Sequence, residues 1–262
     1  MNYTIVLDRK CLQVYYHQSE YIEDAHTKQP LKNPSYQNRL NTFLGLLNQP
    51  SSDITCAVII DELKEEYLQA DCLVFLTRIE SFSEQEIQMI LKFISQKGKS
   101  LLLMSNHNPF EQKDNELTTK LGINLVGGYY SGVRGKYTEI DSNWFTNHPI
   151  LKERNELEPI SSIMTNTTCR IESNYGQPFM YLPDGMIGRW SSESEVQIKN
   201  RIFGLAINGE TDQHPLIKGK VVILADSGFI GDKGSKTPGF GIIDKLDNEL
   251  FIKRIFFYLL KE

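Results

Sequence analysis

Eight side chains have the types and positions to do chemistry together: Asp8, Asp61, Arg78, Ser105, Asn106, His107, Asp226 and Ser227. Each ends or directly follows a short apolar run, so each falls at the carboxyl end of an expected strand. In open α/β sheets, ligands sit beyond those ends. A crevice lined by Asn106, His107 and Asp226 is therefore expected, with the other residues around it. The competing explanation is plain: strand ends are polar because loops are exposed and helix starts need caps. His107 is the one catalytic candidate, as a general base, a ligand orienter or a metal ligand; otherwise it bonds its own loop. A Ser105 nucleophile with His107 as base is disfavoured. A metal held by Asp8, His107 and Asp226 is conceivable, but no spacing demands one, so neither a metal nor a cofactor is assigned.

Two glycine-rich segments, 127–135 and 231–241, are expected to border the crevice. The first carries Tyr129, Tyr130 and Arg134, and Arg134 adds a cation for an anionic or sugar-like ligand. The second reads Gly-Asp-Lys-Gly-Ser-Lys-Thr from Gly231. It is no phosphate loop, because the G-x-x-x-x-G-K-[ST] order is absent. His148-Pro149 and His214-Pro215 read as turns. The cysteines, Cys11, Cys56, Cys72 and Cys169, form no C-x-x-C pair and read as buried reduced thiols.

The elements that must position these residues centre on 70–108. Cys72 to Arg78 and Lys99 to Ser105 are continuous apolar runs, the mark of strands covered on both faces and hence of a parallel sheet. Between them, Ser83 and Glu86 form a capping box, with Phe82 and Ile87 at staple spacing. Ile87, Ile90, Leu91 and Ile94 give one apolar helical face, which Gly98 ends. Tyr3 to Leu7, Thr55 to Ile60 and Lys220 to Leu224 add strands. Helices are expected over 38–47, 62–68, 115–121 and from about Asp247, and a long loop over 17–38. Between 150 and 210 the short apolar runs predict antiparallel strands.

With 262 residues and 40% of them hydrophobic, the chain can bury one large core, taken here as a single domain over 1–262. A net charge of −5 disfavours nucleic acid and anionic membranes as partners. The first ten residues lack a signal-peptide core, and no apolar run approaches ~18 residues, so a cytoplasmic protein is expected.

The stretches SFSEQEIQMILKFISQKGKSLLLMSNHNPF, NELTTKLGINLVGG, NHPI and GKVVILADSGFIGD…DNELFIKRIFFYLL follow one another in an order that resembles class I glutamine amidotransferase-like domains. The branch it looks like includes trehalose-utilisation-like and gliding- or transport-associated proteins. The resemblance covers most of the chain after residue 70. It implies a flavodoxin-like, doubly wound, mainly parallel sheet with an antiparallel β-rich insertion near 150–210. True members carry a nucleophilic cysteine in a G-x-C-x-G elbow; here that strand ends in Ser105-Asn106-His107. No His-x-Glu pair follows the last strand, where Asp226-Ser227 stand instead. Cysteine-dependent glutamine hydrolysis is therefore not expected. The expected function is binding of a small polar ligand or a protein partner at the carboxyl edge. The alternatives are a hydrolase on a sugar-like or amide substrate, with His107 as base, and a structural assembly module; a homo-oligomer is compatible with either binding role.

Overall fold

The computed structural model describes residues 3–8, 21–23, 30–32, 40–48, 54–59, 63–131, 137–152, 158–184, 186–189, 201–232 and 242–261. In chain order the elements are β1 (Tyr3–Asp8), β2 (Tyr21–Glu23), β3 (Pro30–Lys32), α1 (Asn41–Leu47), β4 (Ile54–Ile59), β5 (Cys72–Phe75), α2 (Glu84–Ile94), β6 (Ser100–Met104) and α3 (Glu111–Thr118). There follow β7 (Ile123–Ser131), β8 (Thr138–Asp141), β9 (Ser162–Thr165), β10 (Thr168–Ser173), β11 (Gln177–Tyr181), β12 (Ile187–Arg189), β13 (Ile202–Asn208), β14 (Lys220–Leu224) and α4 (Asn248–Lys261).

Ten strands form one mixed sheet in the order β12-β7-β10-β13-β14-β6-β5-β1-β4, with β11 also pairing β13. From β14 to β4 every pairing is parallel. The expected parallel trio is present: Cys72 faces Ser100 across β5 and β6, and Lys220 faces Ser100 across β14 and β6. From β14 outward the sheet turns antiparallel. The sheet is thus more antiparallel than the sequence predicts. Of the short strands of 150–210, β10, β11, β12 and β13 extend this same sheet, with β13 docked on β14, whereas β9 pairs β8 in a separate two-stranded sheet.

Local chemistry explains the elements. Ser83 Oγ accepts from Glu86 N at 3.2 Å and Glu86 returns the bond to Ser83 N at 2.8 Å, so the capping box is complete. Gly98, at φ 76°, ends the turn after α2 in the left-handed region. The parallel strands are buried on both faces, as their unbroken apolar runs require. Helix α4 lays Phe251, Ile255, Phe256 and Leu259 into the core. Cys72 and Cys169 are buried, and Cys169 is a free thiol.

Several expected boundaries move. Helix α1 starts at Asn41 rather than 38, because its first amides are capped from afar: Asn41 N and Thr42 N donate to the Asp232 carboxylate at 2.7 and 2.9 Å. The loop over 17–38 contains the paired strands β2 and β3. The segment expected to be helical over 62–68 is a 3-10 turn, Glu65–Gln69. Helix α3 starts at Glu111, four residues before the expected 115. The first half of the glycine- and tyrosine-rich segment is strand β7 rather than loop. Among the described residues no helix is long and apolar enough to cross a membrane.

Helix α2 offers a direct check. Ile90 is fully buried, so Ile90→Ala should cost about 2–5 kcal/mol, and Ser83→Ala about 0.5–2 kcal/mol through the lost cap. Urea unfolding of the two variants reads both values.

Candidate functional site

The carboxyl ends of the parallel strands gather the expected residues, but turn them toward one another. Asp8 ends β1; Thr77 and Arg78 follow β5; Ser105 and Asn106 follow β6; Asp226 and Ser227 follow β14. All seven are buried. Asp61 and Arg134 lie outside the described residues, as does most of the segment 231–241.

Arg78 is the centre of one half. Its side chain is 0% exposed. Nη1 donates to Asp8 Oδ2 at 2.9 Å, Nη2 reaches Glu86 Oε1 at 3.4 Å, and Nε donates to Glu80 O at 3.3 Å. The guanidinium lies 3.9 Å from the Phe82 ring centroid, so a cation–π contact covers its remaining face. Glu86 therefore serves twice, capping α2 and neutralising Arg78. A buried charge is tolerable only when paired and hydrogen-bonded, and Arg78 meets both conditions.

The other half is a chain of smaller groups. Asn106 Nδ2 donates to Thr77 Oγ1 at 3.3 Å, and Thr77 meets the Ser227 hydroxyl. Asn106 Oδ1 accepts from His107 N at 2.8 Å. Asp226 accepts from Thr165 Oγ1 at 2.6 Å, Gly228 N at 2.6 Å and Asn166 N at 3.3 Å. Burial pushes the Asp226 carboxyl above its usual range; those three bonds and the charge of His107 act against the shift. Asn106, His107 and Asp226 thus belong to one edge of the sheet. His107 is half-buried, its ring edge-on to Phe110 at 5.5 Å, with Nδ1 2.6 Å from Asn108 O. A carbonyl oxygen only accepts, so Nδ1 carries a proton. Ser105 and His107, two apart, would share a face on an extended strand, yet the Ser105 hydroxyl donates to Asp114 Oδ2 at 2.7 Å.

Asp114 and Glu111 are the members that the sequence reading missed. They stand one turn apart on α3, and both are buried. Asp114 Oδ1 and Glu111 Oε2 have no hydrogen-bond partner among the described residues. Burial pushes Asp114 up to about 7; the Ser105 bond and Arg78 oppose the shift, and the Glu111 charge adds to it. Burial raises Glu111 as well. A protonated Asp114 brings its own donor into this acceptor-rich pair, which is how a buried carboxyl avoids an unsolvated charge. Strand β7 makes room for Glu111 at Gly127, where a Cβ would collide with the carboxylate. Cys169, on β10, is the thiol of this cluster. Burial, then the charges of Glu111 and Asp114, raise it well above the ordinary thiol range, so it is a poor nucleophile. Among the described residues no three His, Cys, Asp or Glu side chains gather as metal ligands.

No family model matches the sequence, and no curated protein matches it either. Among solved structures, the chain is similar to the mmIFT52 N-terminal domain, with a TM-score of 0.66 at 13% identity, covering 99% of this chain and 98% of that one. A second, exo-beta-1,4-mannosidase Op5Man5 from Opitutaceae bacterium strain TAV5, aligns with a TM-score of 0.43 at 10% identity, over 99% of this chain and 36% of that one. The first likeness is one of fold alone; the second is too slight to carry an argument.

The carboxyl pair generates a pH signature. The Asp114 pKa is raised from 3.8 to about 7, so the folded state binds the extra proton between those values. Its contribution to stability is complete below about pH 4 and is lost as pH rises through about 7. Asp114→Asn keeps an acceptor for Ser105 and cannot ionise. The fall in unfolding free energy between pH 5 and pH 8 should therefore be smaller in this variant than in the wild type, by roughly 1–4 kcal/mol. Denaturant melts at the two pH values measure the difference, and the comparison cancels groups common to both proteins.

Proposed function

We propose that the chain is a glutamine amidotransferase-like domain, of the trehalose-utilisation-like or gliding- and transport-associated branch, that acts by binding a protein partner at its carboxyl edge rather than by turning over a small substrate. The observation that carries this reading is Arg78. The parallel strands run β4-β1-β5-β6-β14, which in order of appearance is 2-1-3-4-5. That order supports a flavodoxin-like reading of the parallel half, and in such sheets ligands bind at the switch point between the first and third strands. Here those strands are β1 and β5, and beyond their ends lies the buried Arg78–Asp8 ion pair. The chain's own guanidinium stands where a doubly wound fold admits a ligand, leaving the outer surface of the edge for recognition.

The elbow supports the same reading. Ser105 is committed to Asp114, and the nearby thiol, Cys169, is buried and raised. The fold neighbour is the N-terminal domain of mmIFT52. An acidic balance speaks against nucleic acid, and a cytoplasmic setting suits the buried free thiol of Cys169. The second reading, a hydrolase with His107 as base and Asp226 orienting it, draws on the pull that the His107 charge exerts on the Asp226 carboxyl.

Turnover separates the two. Purified protein incubated with glutamine, and with chromogenic ester, amide and glycoside substrates, should release no product. Hydrolysis that disappears in a fully folded His107→Ala variant would overturn the binding reading. Arg78→Met should also be severely destabilising, by about 3–5 kcal/mol, because it strands two buried carboxylates. A thermal or urea melt of this variant near wild type would show that Arg78 is no structural plug.

A further inference from the structure

The opposite end of the sheet holds a cleft of about 190 Å³. Four separate parts of the chain build it. Ala206 and Asn208 lie two apart on β13, so their side chains share a face, and the small Ala206 leaves space there. Gln177, at the start of β11, pairs across from Ala206. Tyr258 comes from the last turns of α4, and Thr211 and Asp212 from the turn after β13. His148 caps the 3-10 turn Pro149–Leu151.

His148 sets the chemistry. Its Nδ1 accepts from Ile150 N at 3.3 Å, so in the neutral ring the proton sits on Nε2. Burial lowers its pKa to about 4, against the pull of Asp212, so the ring is neutral at physiological pH. Phe179 and Tyr258 hold it at centroid distances of 5.4 and 5.2 Å. Nε2 has no hydrogen-bond partner among the described residues and is not sealed in the interior. It is left as a donor for the cleft that His148 lines. Asn208 Nδ2 and the Gln177 amide add donors. Asp212 is the acceptor: its oxygens already hold Asn208 N at 2.8 Å and Thr211 Oγ1 at 3.1 Å, and each keeps a further lone pair.

That pattern excludes most ligand classes. A metal would need the Nε2 lone pair, which this tautomer lacks. An anion would face the Asp212 carboxylate. A cation would meet the N–H donors of His148 and Asn208. What fits is a neutral molecule rich in hydroxyls, accepting from His148, Asn208 and Gln177, donating to Asp212, and laying a C–H face on Pro149, Ala206 and the Tyr258 ring. We infer that this cleft is a binding site for a neutral sugar or cyclic polyol of monosaccharide size. It is separate from the carboxyl edge, so it stands or falls independently of the proposed function. Both a free sugar and the end of a neutral glycan present this chemistry.

The test follows the imidazole resonances of His148 by NMR while glucose, galactose, mannose and myo-inositol are titrated to roughly 100 mM, a range that detects weak millimolar sites. At least one should shift His148 in a saturable way, and glucose 6-phosphate should not, because Asp212 opposes its charge. Equal binding of the methyl glycoside would point to a glycan end, and loss with the methyl glycoside to a free sugar or polyol; both support the site. Asp212→Asn and Gln177→Ala should each weaken binding roughly ten-fold, as the loss of one good hydrogen bond does. Gln177 is exposed, so its variant reads the site even where Asp212→Asn misfolds. The inference is overturned by no saturable shift with any of the four compounds, by tighter binding of the phosphate, or by Gln177→Ala binding as well as wild type.

Discussion

The structure depends on satisfying one buried positive charge. Arg78 follows the end of β5, and its buried guanidinium lies against Asp8 at the end of the neighbouring β1. Desolvating a guanidinium costs several kcal/mol unless its partners are in place. Its partners come from three places: Asp8 on β1, Glu86 in the first turn of α2 and the Phe82 ring just before it. The capping box that starts α2 is therefore also half of the ion-pair cage. The apolar face of the helix sets its depth, and the charge sets its position along the strands.

The second constraint is an excess of buried acid. Asp114, Glu111 and Asp226 are all enclosed and all raised by burial, with one half-buried histidine beside them. Serine, threonine and backbone amides supply most of the compensation. Such a cluster specifies an arrangement more than it strengthens one, because each oxygen accepts a bond in only a few geometries. It ties α3 to β6 through Ser105, and β14 to β9 through Thr165.

How far the sequence spoke follows from these two constraints. Apolar runs marked the parallel strands closely, because full burial leaves an unmistakable signature. The capping box and Gly98 marked α2 for reasons that lie within fifteen residues. Helix α3 was harder. Its inward face carries Glu111 and Asp114 instead of leucines, so hydrophobic spacing begins only near Leu117 and hides the first turn. Strand β7 read as a loop because its glycines look like punctuation; Gly127 is instead where the strand passes a buried carboxylate. Strand ends identified Asp8, Arg78, Asn106 and Asp226 as neighbours of one edge. Nothing local could show what they bond to, since Arg78 and Asp8 lie 70 residues apart and Asp226 and Thr165 lie 61 apart. His148 looked like a turn former, and it is one; its second nitrogen acquires meaning only beside β13 and α4.

The cap on α1 has a temporal side. Seven residues make a helix too short to persist alone. Its first amides wait for Asp232, about 190 positions later in the chain. On the ribosome, at roughly 5–20 residues per second, the segment between β1 and β4 emerges many seconds before its cap exists. Helix α1 is therefore capped only after residue 232 has been made. Until then β1, which sits between β4 and β5, has neighbours but no finished cover over them. A chaperone that holds nascent chains would meet this protein with its first strands made and its first helix still open.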